Sequence, residues 1–207
     1  DWWANNERYY RYRYNIDKLH IKVIRDLNVA YRHFLRGNLD VFAAILPDWW
    51  HGRTQGKEYD AGYIVKHWFF NDAPATDMGM WFNTEKGLLK DVRIRKGISY
   101  SINVDKVIKS ILRNDYERLN SGDQGKGPWY NPKVKAREFD IKAAVEQFEA
   151  AGFTIVGEDG IRKNKQGQRL SFTVTYGQKH HNERLVMIKE EARKTGLELV
   201  LNLMDGS

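Results

Sequence analysis

The chain contains no cysteine, which excludes a disulfide framework, a thiolate metal site and a thiol nucleophile. Compartment stays open on that ground, since a bacterial periplasm and a cytosol both suit such a chain. Long apolar runs are also missing. The longest, Val41 to Leu46, falls far short of the roughly 20 residues that a membrane-spanning helix needs. There is no G-x-S-x-G elbow, and the glycine-rich GDQGKGPW lacks the closing Gly-Lys-Ser/Thr of a phosphate loop and runs into proline rather than helix. Carboxylates are plentiful, but no set of residues forms a catalytic constellation. The chain therefore reads as a non-enzyme with no cofactor. It opens at Asp1 without a methionine or a charged-then-apolar leader, which reads as an internal portion of a longer protein.

What is present is enough for a core: 207 residues, 42% of them hydrophobic and 13% aromatic. The formal charge is +7, yet the 34 basic residues are interleaved with 27 acidic ones, the pattern of a solvated surface rather than a binding stripe. One stretch departs from this. In DWWANNERYYRYRYN, tyrosines alternate with Arg8, Arg11 and Arg13, so bases or another polyanion could stack there. The favoured reading of this stretch is an arm packed on its own domain. A basic module for nucleic acid or another polyanion stays open as the alternative.

Periodicity predicts a mixed α/β chain without internal repeats. Leu19, Ile21 and Val23 alternate as a strand, Asn28 caps a helix carrying Ala30 and Phe34, and LDVFAAIL follows as a buried strand. Together these predict a βαβ unit. Pro47 breaks the run, and PDWWHGRTQGKEY reads as a turn into a short helix or loop. Residues 63–70 and 78–83 read as neighbouring strands. Asp91 suits the cap of a helix with Ile94, Ile98 and Ile102 on one face, and Asn103 caps a second with Val104, Val107, Ile108, Ile111 and Leu112. Arg93 and Arg95 project about 200° apart on that helix, so the Asp91, Arg93, Arg95 cluster reads as structural. A long loop follows from 113 to 139, whose Tyr116, Trp129 and Tyr130 argue against disorder. The remainder predicts a helix from Asp140 to Ala151, a hairpin turning at Gly167, a helix from Asn182 to Thr195, and a strand with Leu197, Leu199, Leu201 and Leu203 on one face. His180 and Glu183 have the i, i+3 spacing of metal ligands, but a histidine pair ahead of a helix reads first as a solvated loop.

Five of these segments, in this order and spacing, resemble the extracytoplasmic solute-binding proteins of peptide/nickel-type ABC importers. They are the set Ala30, Phe34, Gly37, Leu39 and Asp40; WFNTEKGLLKDVRIRKGISYSINVDKVIKSIL; FDIKAAVEQFEAAGF; DGIRKNKQGQRLSFTV; and RKTGLELVL. The chain departs from the family pattern at Gly97 and Ser101, where alanine is usual, and at Asn103, where aspartate is usual. The Trp-rich DWWHG and the DYERL segment are not general family features.

The resemblance implies an α/β fold, the mixed-sheet lobe of a two-lobed, type II-like periplasmic binding protein with a βαβ piece of the first lobe. Residues 1–44 would end the first lobe, Ala44 to Pro47 would form a hinge crossing, and 45–207 would be a second lobe incomplete at its C-terminal end. It also implies a periplasmic monomer, exported or lipid-anchored, that holds an oligopeptide or similar small solute between its lobes and delivers it to an ABC permease. Nucleic acid is not among the implied partners. Candidate ligand-binding residues are Asp48, Trp49 and Trp50 after the hinge, and Arg113, Tyr116, Arg118 and Trp129 on the long loop. An arginine there could pair with a peptide carboxylate, and Asp48 with an amino terminus.

Overall fold

The computed structural model describes residues 16–43, 46–68, 79–124 and 127–204. The arginine- and tyrosine-rich opening, hinge residues 44 and 45, and residues 69–78 of the expected strand pair lie outside the described residues.

The core is built from the C-terminal two-thirds of the chain. A 3-10 turn, Gly87–Lys90, leads into α4 (Val92–Ser101), which is followed by α5 (Val104–Ser110) and, after the long loop, by α6 (Ile141–Ala150). All three helices start on the side chains the sequence predicts. Asp91, Asn103 and Asp140 accept hydrogen bonds from the N–H groups of Arg93, Lys106 and Ala143 at 2.8–3.0 Å. Ile94 and Ile98 of α4 meet Ala144 and Phe148 of α6, and Phe153, Leu170, Ala192, Leu197 and Leu199 complete one buried cluster.

The chain then forms a short antiparallel pair, β1 (Ile155–Val156) with β2 (Arg162–Lys163), and a parallel pair, β3 (Ser171–Tyr176) with β4 (Glu198–Leu203), bridged by α7 (Asn182–Arg193). The expected hairpin forms only in part. Its turn closes at Gly167, with φ of 79° and Asn164 N–H donating to Gln168 O, but pairing beyond the turn stops at one Lys163–Arg169 bridge. β3 pairs with β4 instead, because the α7 crossover brings Leu199 beside Phe172 in the register, over the core that both residues join. Of the leucines expected on one face of β4, Leu197 and Leu199 are buried while Leu203 is exposed.

The amino-terminal prediction is corrected. Residues 18–24 form no strand, and Leu19, Ile21 and Val23 are 76–86% exposed. Residues 39–43, 63–68 and 79–83 are likewise irregular. Alternation marks a face, but a strand also needs a partner ladder, and none among the described residues pairs with these segments. The βαβ unit expected there is reduced to α1 (Leu27–Leu35). Its cap is Asp26, two residues before the predicted Asn28, accepting from Val29 N–H at 2.9 Å.

α1 packs against α2 (Pro47–Gly52) through an aromatic cluster. Tyr31 lies 5.5 Å from Phe42 and 5.4 Å from Trp49, ring centroid to centroid, and its hydroxyl donates to the Arg53 carbonyl at 2.9 Å. Asn28 accepts from the Arg53 guanidinium. The one-turn α3 (Lys57–Asp60) adds Tyr59, whose hydroxyl meets that of Tyr31.

The three positions that depart from the resembled pattern each make a contact of their own with another element. A side chain at Gly97 would run into the Phe148 ring. Ser101 and Thr195, both buried, share hydrogen bonds with each other and with the carbonyls of Gly97 and Ala192, which alanine could not make. The amide of Asn103 donates to buried Glu191 at 3.2 Å, where an aspartate would set two carboxylates together.

Candidate functional site

Two of the seven predicted residues, Asp48 and Arg113, lie where two segments meet. α2 begins with Pro47, whose fixed φ suits a first helical position. The helix presents Asp48 and His51, three residues apart, along one side. Opposite them is the segment that follows α5, where Arg113 and Asn114 have φ of 52° and 63°. Two consecutive left-handed residues are unfavourable for L side chains, and this turn is braced by Asn114 N–H to Ile108 O and Asp115 N–H to Leu112 O. It aims Arg113 and Asp115 back at α2. Arg113 donates to Asp48 at 2.7 Å, and His51 Nε2 lies 3.0 Å from both Asp115 oxygens. These two pairs lace the segments together across 64 or more residues of chain. His51 and Asp115 were not among the predicted residues; their spacing in sequence carries no signal, because the turn at 113–114 creates the contact.

Trp50 is half-buried beside this lacing. The Trp68 ring meets it edge-on at 4.6 Å, and Lys66 Nζ stands 4.4 Å over its face. Trp49 points the other way, 6% exposed within the aromatic cluster, with the Arg53 guanidinium 4.5 Å over its ring, so it anchors α2 rather than facing solvent. The other loop candidates are more dispersed. Arg118 donates to Asp105 at 2.9 Å and to the Arg137 carbonyl. Half-exposed Tyr116 lies under the Arg184 guanidinium of α7, and Trp129, in the 3-10 turn Gly127–Trp129, is 82% exposed.

The Asp91 cluster is occupied by the fold. Arg93 donates to both Asp91 oxygens and to Ala150 O, while Arg95 donates to the carbonyls of Leu89 and Lys90. The Arg93 guanidinium holds the Asp91 carboxyl below its usual range. His180 and His181 stack edge-on at 4.4 Å, and burial, with Arg184 adding to it, lowers both their pKa values. Among the described residues no third side chain joins His180 and Glu183 as a metal set.

An open groove of about 760 Å³ runs between residues 79–89 and β3. Trp81, Phe82 and Phe172 line its apolar part, and Arg169, Tyr176 and His181 its polar rim. None of the predicted residues lines it.

A family model, that of the bacterial extracellular solute-binding proteins, family 5, matches residues 2–207, and the chain belongs to that family. Among its relatives are the oligopeptide-binding protein AppA of Bacillus subtilis, 24% identical over 98% of this chain and 36% of its own length, and the uncharacterized YejA of Escherichia coli, 29% identical over 58% of this chain and 20% of its own. The fold is that of solved relatives. NikZ from Campylobacter jejuni, in complex with Ni(L-His), matches with a TM-score of 0.66 and 19% identity over 90% of this chain and 36% of that one. AppA in complex with a nonapeptide matches with a TM-score of 0.63 and 23% identity over 89% and 35%. The chain thus spans about a third or less of the length of these relatives.

Proposed function

We propose that the whole protein captures oligopeptides, or a similar small solute, between two lobes and passes them to an ABC permease in the membrane. The family match across residues 2–207 carries this reading, and relatives named for oligopeptide binding support the solute class. Residues 1–44 belong with the first lobe and 45–207 with the second. The protein works outside the cytoplasm, as a monomer held there by export or a lipid anchor, and performs no reaction. The polyanion alternative finds no support among the relatives.

In this reading the laced segments contribute to the solute surface. Asp48 and Arg113 satisfy each other here, and both are about half exposed or more, so a solute amine and carboxylate can exchange with them at little cost. Trp50, Tyr116, Arg118 and Trp129 supply the surrounding contacts, and Trp49 holds α2 in place. Closure of the two lobes on the solute links affinity to conformation.

Arg113→Ala and Arg118→Ala in the whole protein lower peptide affinity, while the first changes stability by less than about 1 kcal/mol because its ion pair is exposed. Calorimetric titration with a peptide identified from a pool checks this, and unchanged affinity in both variants removes these residues from the site. The function itself is tested by thermal shift of the whole protein against a pool of short peptides and a control oligonucleotide. A rise with peptides alone supports the reading. Stabilisation by the oligonucleotide alone overturns it.

A further inference from the structure

Lys66 places its ammonium on an aromatic face. Its Nζ stands 4.4 Å over the Trp50 ring and donates to the Trp50 carbonyl at 2.8 Å. The Trp68 ring, 56% exposed, meets the Trp50 ring edge-on at 66°. No carboxylate among the described residues pairs with Lys66. Among the described residues, what holds the group is an aromatic face and one carbonyl oxygen, a combination that can recognise an ammonium without a counter-ion. Lys66 lies on an exposed, irregular segment, so its four-carbon stem can swing into water and be hydrated there.

We propose that the Trp50 ring, with Trp68 packed against its edge, and the Trp50 carbonyl form a seat for a primary ammonium, filled in this structure by Lys66 and yielded to the ammonium of a solute. The solute class is a peptide with a free amino terminus or a lysine side chain. A quaternary amine keeps the ring attraction but loses the N–H to the carbonyl, so the seat prefers primary amines. Lys66 then acts as an internal competitor that lowers affinity for cationic solutes. The inference rests on the solute-binding reading above for its biological ligand, though the seat itself lies within one segment of the chain.

The test compares wild type, Lys66→Met and Trp50→Leu in the whole protein. Calorimetric titrations use trialanine with a free amino terminus and its N-acetylated form. Lys66→Met raises affinity for the free-amine peptide about three- to tenfold and leaves the acetylated peptide unchanged, while Trp50→Leu abolishes the preference. Measurable and equal affinities for the two peptides in all three proteins overturn the proposal. A second measurement does not depend on peptide binding: n-butylammonium chloride is added while tryptophan indole N–H resonances are followed, with potassium chloride as control. The seat predicts a larger shift of the Trp50 signal in Lys66→Met than in wild type, and no specific shift overturns it. If butylammonium moves that signal but neither peptide binds, the seat stands and the peptide reading falls.

Discussion

Replacing Gly97 with alanine lowers the unfolding free energy by about 2 kcal/mol, although alanine is the better helix former by up to about 1 kcal/mol. The reason is the α4–α6 contact. A methyl group at position 97 lies well inside van der Waals contact with three carbons of the Phe148 ring, and that ring is fully buried within the core cluster. It cannot tilt away without disturbing Ile94, Ile98 and Ala144, and overpacking of this kind typically costs about 1–3 kcal/mol. The diagnostic is a double-mutant cycle with Phe148→Leu, read from urea midpoints. Phe148→Leu alone is destabilising because it leaves a void, but in the Gly97→Ala background the added methyl occupies part of it. The pair is therefore less destabilising than the sum of the single changes by about 1–2 kcal/mol. Strict additivity would show that the two side chains do not compete for the same space.

Glu191→Gln produces the second large effect, about 2 kcal/mol at pH 7. Glu191 is 3% exposed and accepts from Lys106 Nζ at 2.6 Å, Lys194 Nζ at 2.7 Å and Asn103 Nδ2 at 3.2 Å, which ties α5 to α7. Burial opposes its ionisation, yet these three donors together pull its pKa down to about 2 from an ordinary 4.5. The two lysines are half exposed, so solvent screens part of the pairing and the loss stays below what a fully buried triad would show. A depressed carboxyl pKa contributes stability in full above the unfolded-state value and loses it as pH falls through the folded one. The stability gap between wild type and Glu191→Gln is therefore constant above about pH 5. It narrows between pH 4.5 and 2, as the wild-type carboxyl takes up its proton. Urea unfolding of both proteins at pH 7, 4 and 2.5 measures this, and a gap that persists unchanged at pH 2.5 would refute the charge-based account.

The helical core was legible in the sequence because its signals are local. Asp91, Asn103 and Asp140 cap the helices they were expected to cap, and a cap and a 3.6-residue apolar stripe are both set by residues within one or two turns. Strands were legible as faces but not as pairs. The alternation at 171–176 is a strand, yet its partner proved to be β4 across the α7 crossover rather than the neighbouring arm of a hairpin. The alternation at 18–24 is no strand at all among the described residues. Asp48 and Arg113 could be named from charge and loop position, whereas their pairing with each other, and the parallel contact of His51 with Asp115, depends on a left-handed turn at Arg113 and Asn114 that no glycine announces.

By itself, then, the sequence determined the capped helices of the core, the family and the absence of thiol chemistry, since each follows from residue identity and short-range spacing. Only the tertiary structure decided which strands pair, that Trp49 is buried while Trp50 takes Lys66 on its face, and that Gly97, Ser101 and Asn103 face Phe148, Thr195 and Glu191. Those outcomes depend on side chains tens of residues apart competing for the same space and the same hydrogen-bond partners, and that competition is settled only when the chain is closed.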